Sequence, residues 1–239
     1  PLVEDMFSPK AVIFDFFGTL VPNFTLSEHK AVLGEMGDTV GALRDEFVQQ
    51  WLDTVVLRMT GEFASVQANI EAICDTLSVP FDAEKGNRAA ELRYTYERAH
   101  IAPRPTAIAT LREIRARGLK IGLITDCSIE LPELWRETEF APLFDVTIFS
   151  AVAKMKKPNP KIYHMAASEL GVECVDCLYV GDGGSNELAG AMAVGMRPIW
   201  LCDEAEQGTD AHRIGHQPWA GEKFGDLSEM LAFIPKTKK

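Results

Sequence analysis

An unbroken apolar run, Ala11 to Phe14, ends on a carboxylate at Asp15. β-Branched and aromatic residues that run without alternation predict a short strand covered on both faces, as in a parallel sheet. From about Thr25 to His100 the period changes. Phe47, Trp51, Val55 and Met59 recur every fourth residue beside Val48, Leu52 and Val56. Further stripes run Ile70, Ile73, Cys74, Leu77 and Leu92, Tyr96, Ala99, so this stretch is expected to be helices packed on one another. Beyond the Ala-Pro-Arg-Pro at 102–105, helix and strand alternate: a helix over 106–117 stopped at Gly118, then strands over 119–125 and 144–150. A helix opened by Asn159 and Pro160 and closed at Gly171 follows, then a strand over 177–181, a helix over 185–194 and a strand over 197–201. The alternation predicts an α/β fold, a doubly wound parallel sheet built from residues 1–21 and 102–239. The helical stretch, 22–101, is then a smaller all-helical domain inserted after the first strand.

Charge narrows the partners. The chain has 239 residues, 35 acidic against 24 basic, and a net charge of -11. Such a surface repels nucleic acid and anionic membranes, and no apolar stretch approaches the ~20 residues that span a bilayer. The first ten residues lack the pattern of a signal peptide, and five cysteines in no framework spacing suit a reducing compartment, so a cytoplasmic location is expected. Cys174 and Cys177 form a lone C-x-x-C, read as packing because Cys177 opens an apolar strand.

In doubly wound sheets ligands gather beyond the carboxyl ends of the strands. Asp15, Thr125, Asp126, Lys157 and Asp182 all fall there. Two carboxylates at one crevice match the one or two protein carboxylates that Mg²⁺ takes, and a carboxylate can also be a nucleophile. Thr125 and the backbone around Gly18 and Thr19 can hold phosphoryl oxygens, while Lys157 neutralises charge. The set suits phosphoryl transfer by positioning and charge neutralisation.

"DFFGT" at 15–19, "GLIT" at 122–125, "KKPNPKIY" at 156–163 and "YVGDGGSNELAGA" at 179–191 resemble, in order, the four motifs of the haloacid dehalogenase superfamily of hydrolases. The helical insert sits where that superfamily carries its type I cap. The resemblance implies Asp15 as nucleophile and Mg²⁺ ligand, the Phe17 backbone carbonyl and Asp182 as further ligands, and Glu187 assisting through water. It also implies that Thr125 binds phosphate and that Lys157 stabilises the intermediate. The substrate would be a small phosphorylated metabolite enclosed between core and cap.

Phe17 departs from the pattern. Phosphatases of this superfamily carry there a second aspartate that protonates the leaving alcohol, a contribution typically worth ~10²–10⁴-fold. Three readings follow: a Mg²⁺-dependent phosphatase whose proton comes from water, substrate or a cap residue; a metal-free 2-haloacid dehalogenase, whose leaving halide needs no acid; or a binding protein of this fold. A phosphonatase route through a cap lysine, Lys30 or Lys85, ranks below them. The intact Asp182 favours the first. Arg44, Arg58, Arg88, Arg93 and Arg98 are the cap's anion-reading candidates, most of them expected to be solvated. His212 and His216 stand i, i+4 without an acid motif, and Cys127 and Ser128 just past Thr125 are read as packing or capping.

Overall fold

The computed structural model describes residues 7–206, 215 and 218–235. Ten α-helices follow in chain order among them: α1 (Leu26–Val40), α2 (Arg44–Asp53), α3 (Val55–Met59), α4 (Val66–Thr76), α5 (Ala83–His100), α6 (Ala107–Ala116), α7 (Glu130–Leu134), α8 (Ser150–Ala153), α9 (Pro160–Leu170) and α10 (Glu187–Ala193). The strands are β1 (Ala11–Phe14), β2 (Lys120–Thr125), β3 (Val146–Phe149), β4 (Cys177–Gly181), β5 (Arg197–Leu201) and β6 (Lys223–Phe224). They form one parallel sheet in the order β3-β2-β1-β4-β5-β6.

The apolar run of β1 places it at the centre, where both faces are covered. Val12 and Phe14 join a cluster with Leu111 and Ile114 of α6, while Ala11 and Ile13 point the other way, toward Ile162 and Leu170 of α9 and Leu188 of α10. Strand order steps outward from β1 through β2 to β3, then restarts on its other side at β4. The switch point therefore lies between β1 and β4, and Asp15 and Asp182 are the first residues past these two strands.

Helices α1 to α5 bury a cluster of their own, which includes Leu33, Met36, Phe47, Trp51, Ile70 and Ala89. A capping box starts α1: the Glu28 backbone N–H donates to Thr25 Oγ1, and the Glu28 side chain accepts from the Thr25 backbone. The stripe from Phe47 to Met59 is not one helix, as its periodicity suggests. It breaks at Thr54, whose hydroxyl donates to the carbonyls of Gln50 and Trp51 at 2.9 and 3.1 Å, a side-chain bond that competes with the helical ladder. Arg58 of α3 is consequently turned inward and buried.

Other boundaries shift modestly. The strand expected over 144–150 is confined to Val146–Phe149. The helix expected from 185 begins at Glu187, because Ser185 and Asn186 adopt φ near +53°, which ends one turn before the next starts. Strand β6 was not anticipated, since two residues leave no periodic signal. Cys174 and Cys177 are buried free thiols, and burial pushes Cys177 up to about 12, as expected of packing cysteines. His212 and His216 lie outside the described residues.

The two adjacent phenylalanines after Asp15 part company. The backbone N–H groups of Thr19, Leu20 and Val21 all donate to the Phe16 carbonyl, at 3.1, 2.8 and 3.2 Å, so the chain coils tightly there. The Phe16 ring is sent into the core, edge-on to Trp135 and Phe140 with centroids 5.6 and 5.3 Å away. Phe17 remains half-buried against Phe24. Phe16→Ala is expected to cost about 3–5 kcal/mol of stability and Phe17→Ala less than half of that. Urea denaturation of both variants checks the order, and equal losses would contradict it.

Candidate functional site

Asp15, Lys157, Asp182 and Glu187 meet at the switch point, all buried. The Lys157 ammonium lies between two carboxylates, 2.5 Å from Asp15 Oδ1 and 2.5 Å from Glu187 Oε2. Thr19 Oγ1 donates to Asp15 Oδ2 at 3.1 Å. Asp182 accepts from Asn23 Nδ2 and from the Gly184 N–H, each at 2.9 Å. Carboxylate oxygens of Asp15, Asp182 and Glu187 all lie within 4.8 Å of one another.

Two glycines make this approach possible. A Cβ on Gly181 would stand 2.1 Å from Glu187 Oε1, and one on Gly18 would stand 2.4 Å from Asp182 Oδ2. Gly18 also has φ +77°, a conformation that side chains strain to adopt, and its carbonyl accepts from Arg104 Nη2 at 3.0 Å.

Electrostatics follow from burial. Burial pushes the Asp15 carboxyl up, against the pull of Lys157 and with a further push from Asp182. Glu187 is raised more, by burial first and then by Asp15. Burial alone would lower Lys157, but Asp15 and Glu187 outweigh it and hold the ammonium well above its usual range. Three buried carboxylates thus face one buried ammonium among the described residues. A group of buried carboxylate oxygens is a donor set of the kind that a hard divalent cation such as Mg²⁺ takes. Asp15 and Asp182 suit that role. Glu187 has both oxygens engaged, by Lys157, by the Tyr179 hydroxyl at 2.8 Å and by the Gly183 N–H at 2.9 Å, so its geometry is that of a holder for Lys157.

The remaining expected residues divide. Asp126 Oδ1 accepts from the Lys157 backbone N–H at 3.0 Å and Asp126 pairs with Lys156 at 3.2 Å, which fixes the lysine-bearing loop. Thr125 is fully buried at the end of β2, and its hydroxyl has no hydrogen-bond partner among the described residues. Thr125, Gly18 and Thr19 are not among the residues that line the cavity. Cys127 and Ser128 do reach that wall, although Cys127 is held by Ser150, whose hydroxyl accepts its N–H at 2.9 Å.

Above the cluster is a cavity of about 110 Å³, many times the ~10–15 Å³ of such volume that one water needs. Its floor is Asp15, Lys157, Asp182 and Glu187, and the helical layer supplies His29, Val55, Arg58, Met59, Arg93 and Glu97. The Phe17 ring faces this cavity. Of the five cap arginines considered, Arg58 and Arg93 line it, whereas Arg44, Arg88 and Arg98 form exposed ion pairs with Asp38, Glu84 and Glu137. Asn23, His29 and Glu97 are cavity residues that carried no sequence signal. Glu97 lies on a helix face whose neighbours alternate in charge, and His29 is packed within α1, stacked on Tyr96. Burial, against Arg93, pushes the Glu97 carboxyl up to about 7.

Comparisons with known proteins agree with this architecture. Residues 9–195 match the haloacid dehalogenase-like hydrolase family. A glyceraldehyde 3-phosphate phosphatase of Methanopyrus kandleri is 25% identical over 189 residues, 78% of this chain and 81% of that protein. An (S)-2-haloacid dehalogenase of Pseudomonas fluorescens is 23% identical over 198 residues, 80% and 84% of the two chains. Among solved structures, a HAD phosphatase from Thermococcus onnurineus superposes with a TM-score of 0.64 at 23% identity, covering 93% of this chain and 96% of its own. With its four motifs gathered at one switch point, the chain belongs to the haloacid dehalogenase-like hydrolases.

Proposed function

We propose that this hydrolase is a Mg²⁺-dependent phosphatase of a small phosphorylated metabolite, working through an aspartyl-phosphate on Asp15. The observation that carries the reading is the cluster of buried carboxylates at the floor, where Asp15, Asp182 and Glu187 bring oxygens within 4.8 Å of one another. Asp15, Asp182 and the Phe17 carbonyl would hold Mg²⁺, which supplies charge neutralisation for the phosphoryl oxygens when bound. Residues 22–101 are read as a cap over a core made of 1–21 and 102–239, and the cavity between them as the substrate chamber.

The residues then have distinct tasks. Lys157 keeps Asp15 ionised and aimed, and Thr19 fixes its second oxygen. Asp15 attacks phosphorus, the bond to the leaving oxygen breaks, and water later opens the acyl phosphate. Residue 17 cannot supply the leaving group's proton. Glu97 on the opposite wall keeps a proton near neutrality because it is buried, and we assign proton donation to it.

The apolar Phe17 wall favours a second reading, displacement of halide from a 2-haloacid, an activity named for one relative. The second carboxylate beside Asp15, Asp182, speaks against it, since displacement of halide without a metal gives that residue nothing to hold.

A purified sample assayed with an activated aryl phosphate should hydrolyse it only with Mg²⁺, and Asp15→Asn should lower the rate by at least about 10³-fold. Halide release from a 2-haloacid that persists in EDTA would instead establish the dehalogenase. Glu97→Gln should slow alkyl phosphates by about 10²-fold or more while slowing the aryl phosphate much less, and adding Phe17→Asp should restore part of the loss. Equal slowing of both esters would remove Glu97 as the acid.

Metal removal has a signed pH signature. Folded Asp15 is raised from 3.8 to about 6 and Glu187 from 4.5 to about 8. The folded state therefore retains protons that the unfolded chain releases, and their stabilisation is full at the acid end and is lost as pH rises toward 8. In EDTA the Tm should fall by several degrees between pH 5 and pH 8, at about 2–4 °C per kcal/mol for a chain of this size, and Mg²⁺ should reduce the fall to the part that Glu97 contributes. Glu187→Gln should flatten it. A Tm in EDTA that rises across this window would contradict the charge assignment.

A further inference from the structure

Arg58 is a buried cation with no ion pair among the described residues. Its Nη1 donates to the Trp51 carbonyl at 2.5 Å and to Thr54 Oγ1 at 2.8 Å, both neutral acceptors, and its Nε has no hydrogen-bond partner among the described residues. The guanidinium carbon sits 4.5 Å from the centroid of the Trp51 ring. Arg93 shares that ring at 5.9 Å; its Nε and Nη2 bind Glu130 and Glu97, and its Nη1 is also without a partner. Leaving a buried cation unpaired is costly. Here the cost is visible: burial pulls Arg58 down to about 9, which still leaves it charged at neutral pH. Glu130 is the carboxylate that supports Arg58 at a distance, but its hydrogen bond goes to Arg93.

Both arginines line the same cavity as Asp15 and Asp182, from the opposite side. The cavity is thus asymmetric: carboxylates cluster on its floor, and a guanidinium with no ion pair among the described residues lies on its helical wall. A neutral alcohol phosphate would leave Arg58 as it is. A substrate with a second anionic group remote from its phosphoryl group would satisfy it, and a planar carboxylate is the group that a fixed guanidinium reads best.

We propose that the substrate is a short phosphorylated carboxylic acid, with its phosphoryl group at Asp15 and its carboxylate read by Arg58 and the free Nη1 of Arg93. This rests on the phosphatase reading for the phosphoryl end only. Trp51 sets the plane of the Arg58 fork, and Thr54, by breaking the helix, turns it toward the cavity.

The test compares a short O-phosphorylated hydroxycarboxylic acid with its carboxamide, which has the same leaving oxygen and lacks the charge. For the wild-type protein with Mg²⁺, kcat/KM should favour the acid by at least about tenfold, the range of a charge-assisted pair. Arg58→Gln should bring the ratio near one, and Arg58→Lys should leave it between. A wild-type ratio near one overturns the carboxylate subsite and leaves the phosphatase standing, whether or not the Arg58 variants fold. If neither ester is hydrolysed, the phosphatase reading falls, and calorimetric binding of the same two compounds to Asp15→Asn decides the subsite alone. Tighter binding of the acid by a similar factor supports it; equal binding overturns it.

Discussion

The rest of the molecule is arranged around one ammonium held between two buried carboxylates. Asp15 and Glu187 come from opposite sides of the switch point, and without Lys157 the approach of two buried carboxylates would be repulsive. Much of the surrounding structure serves to hold this contact. Asp126 fixes the backbone of Lys157, Asn159 caps α9 two residues later, and Tyr163 and Tyr179 hold the Glu187 backbone and side chain. A buried ion pair is poor evidence for stability, because desolvation offsets its attraction. Keeping a lysine and three carboxylates in a covered crevice is better understood as the cost of a site whose charges must be fixed before substrate arrives.

The parts of this arrangement that were legible in the sequence are those that the sheet dictates. Asp15 and Asp182 could be placed because an apolar run identifies a central strand and the chemistry stands at its end. Asn159, Pro160 and Gly171 marked α9 to the residue, since caps depend on local backbone geometry. The helical layer was less readable. Its stripes showed that helices pack, but the same period continued across Thr54, where a hydroxyl bond turns the chain. Nothing in the period distinguishes Arg58 and Arg93, which face the cavity, from Arg44, Arg88 and Arg98, which face solvent, because that depends on which helix face meets the sheet. Thr125 ends β2 as expected, yet it is fully buried, a depth that no linear pattern encodes.

The charge distribution also gives a physical account of Phe17. The floor already gathers three buried carboxylates around one buried ammonium. An aspartate at position 17 would add another to the same cavity, with Lys157 already committed to Asp15 and Glu187. The ring instead presents an apolar surface between floor and helical wall, alongside Phe24, Val55 and Met59. Charges separated by such a surface interact through a lower effective dielectric than water provides, so each end acts more strongly on a ligand that spans them. Glu97, a buried carboxyl on the helical wall beside Arg93 and Glu130, stands apart from the floor cluster. Burial first, with Glu130 adding to it, preserves the proton on Glu97 against the pull of Arg93.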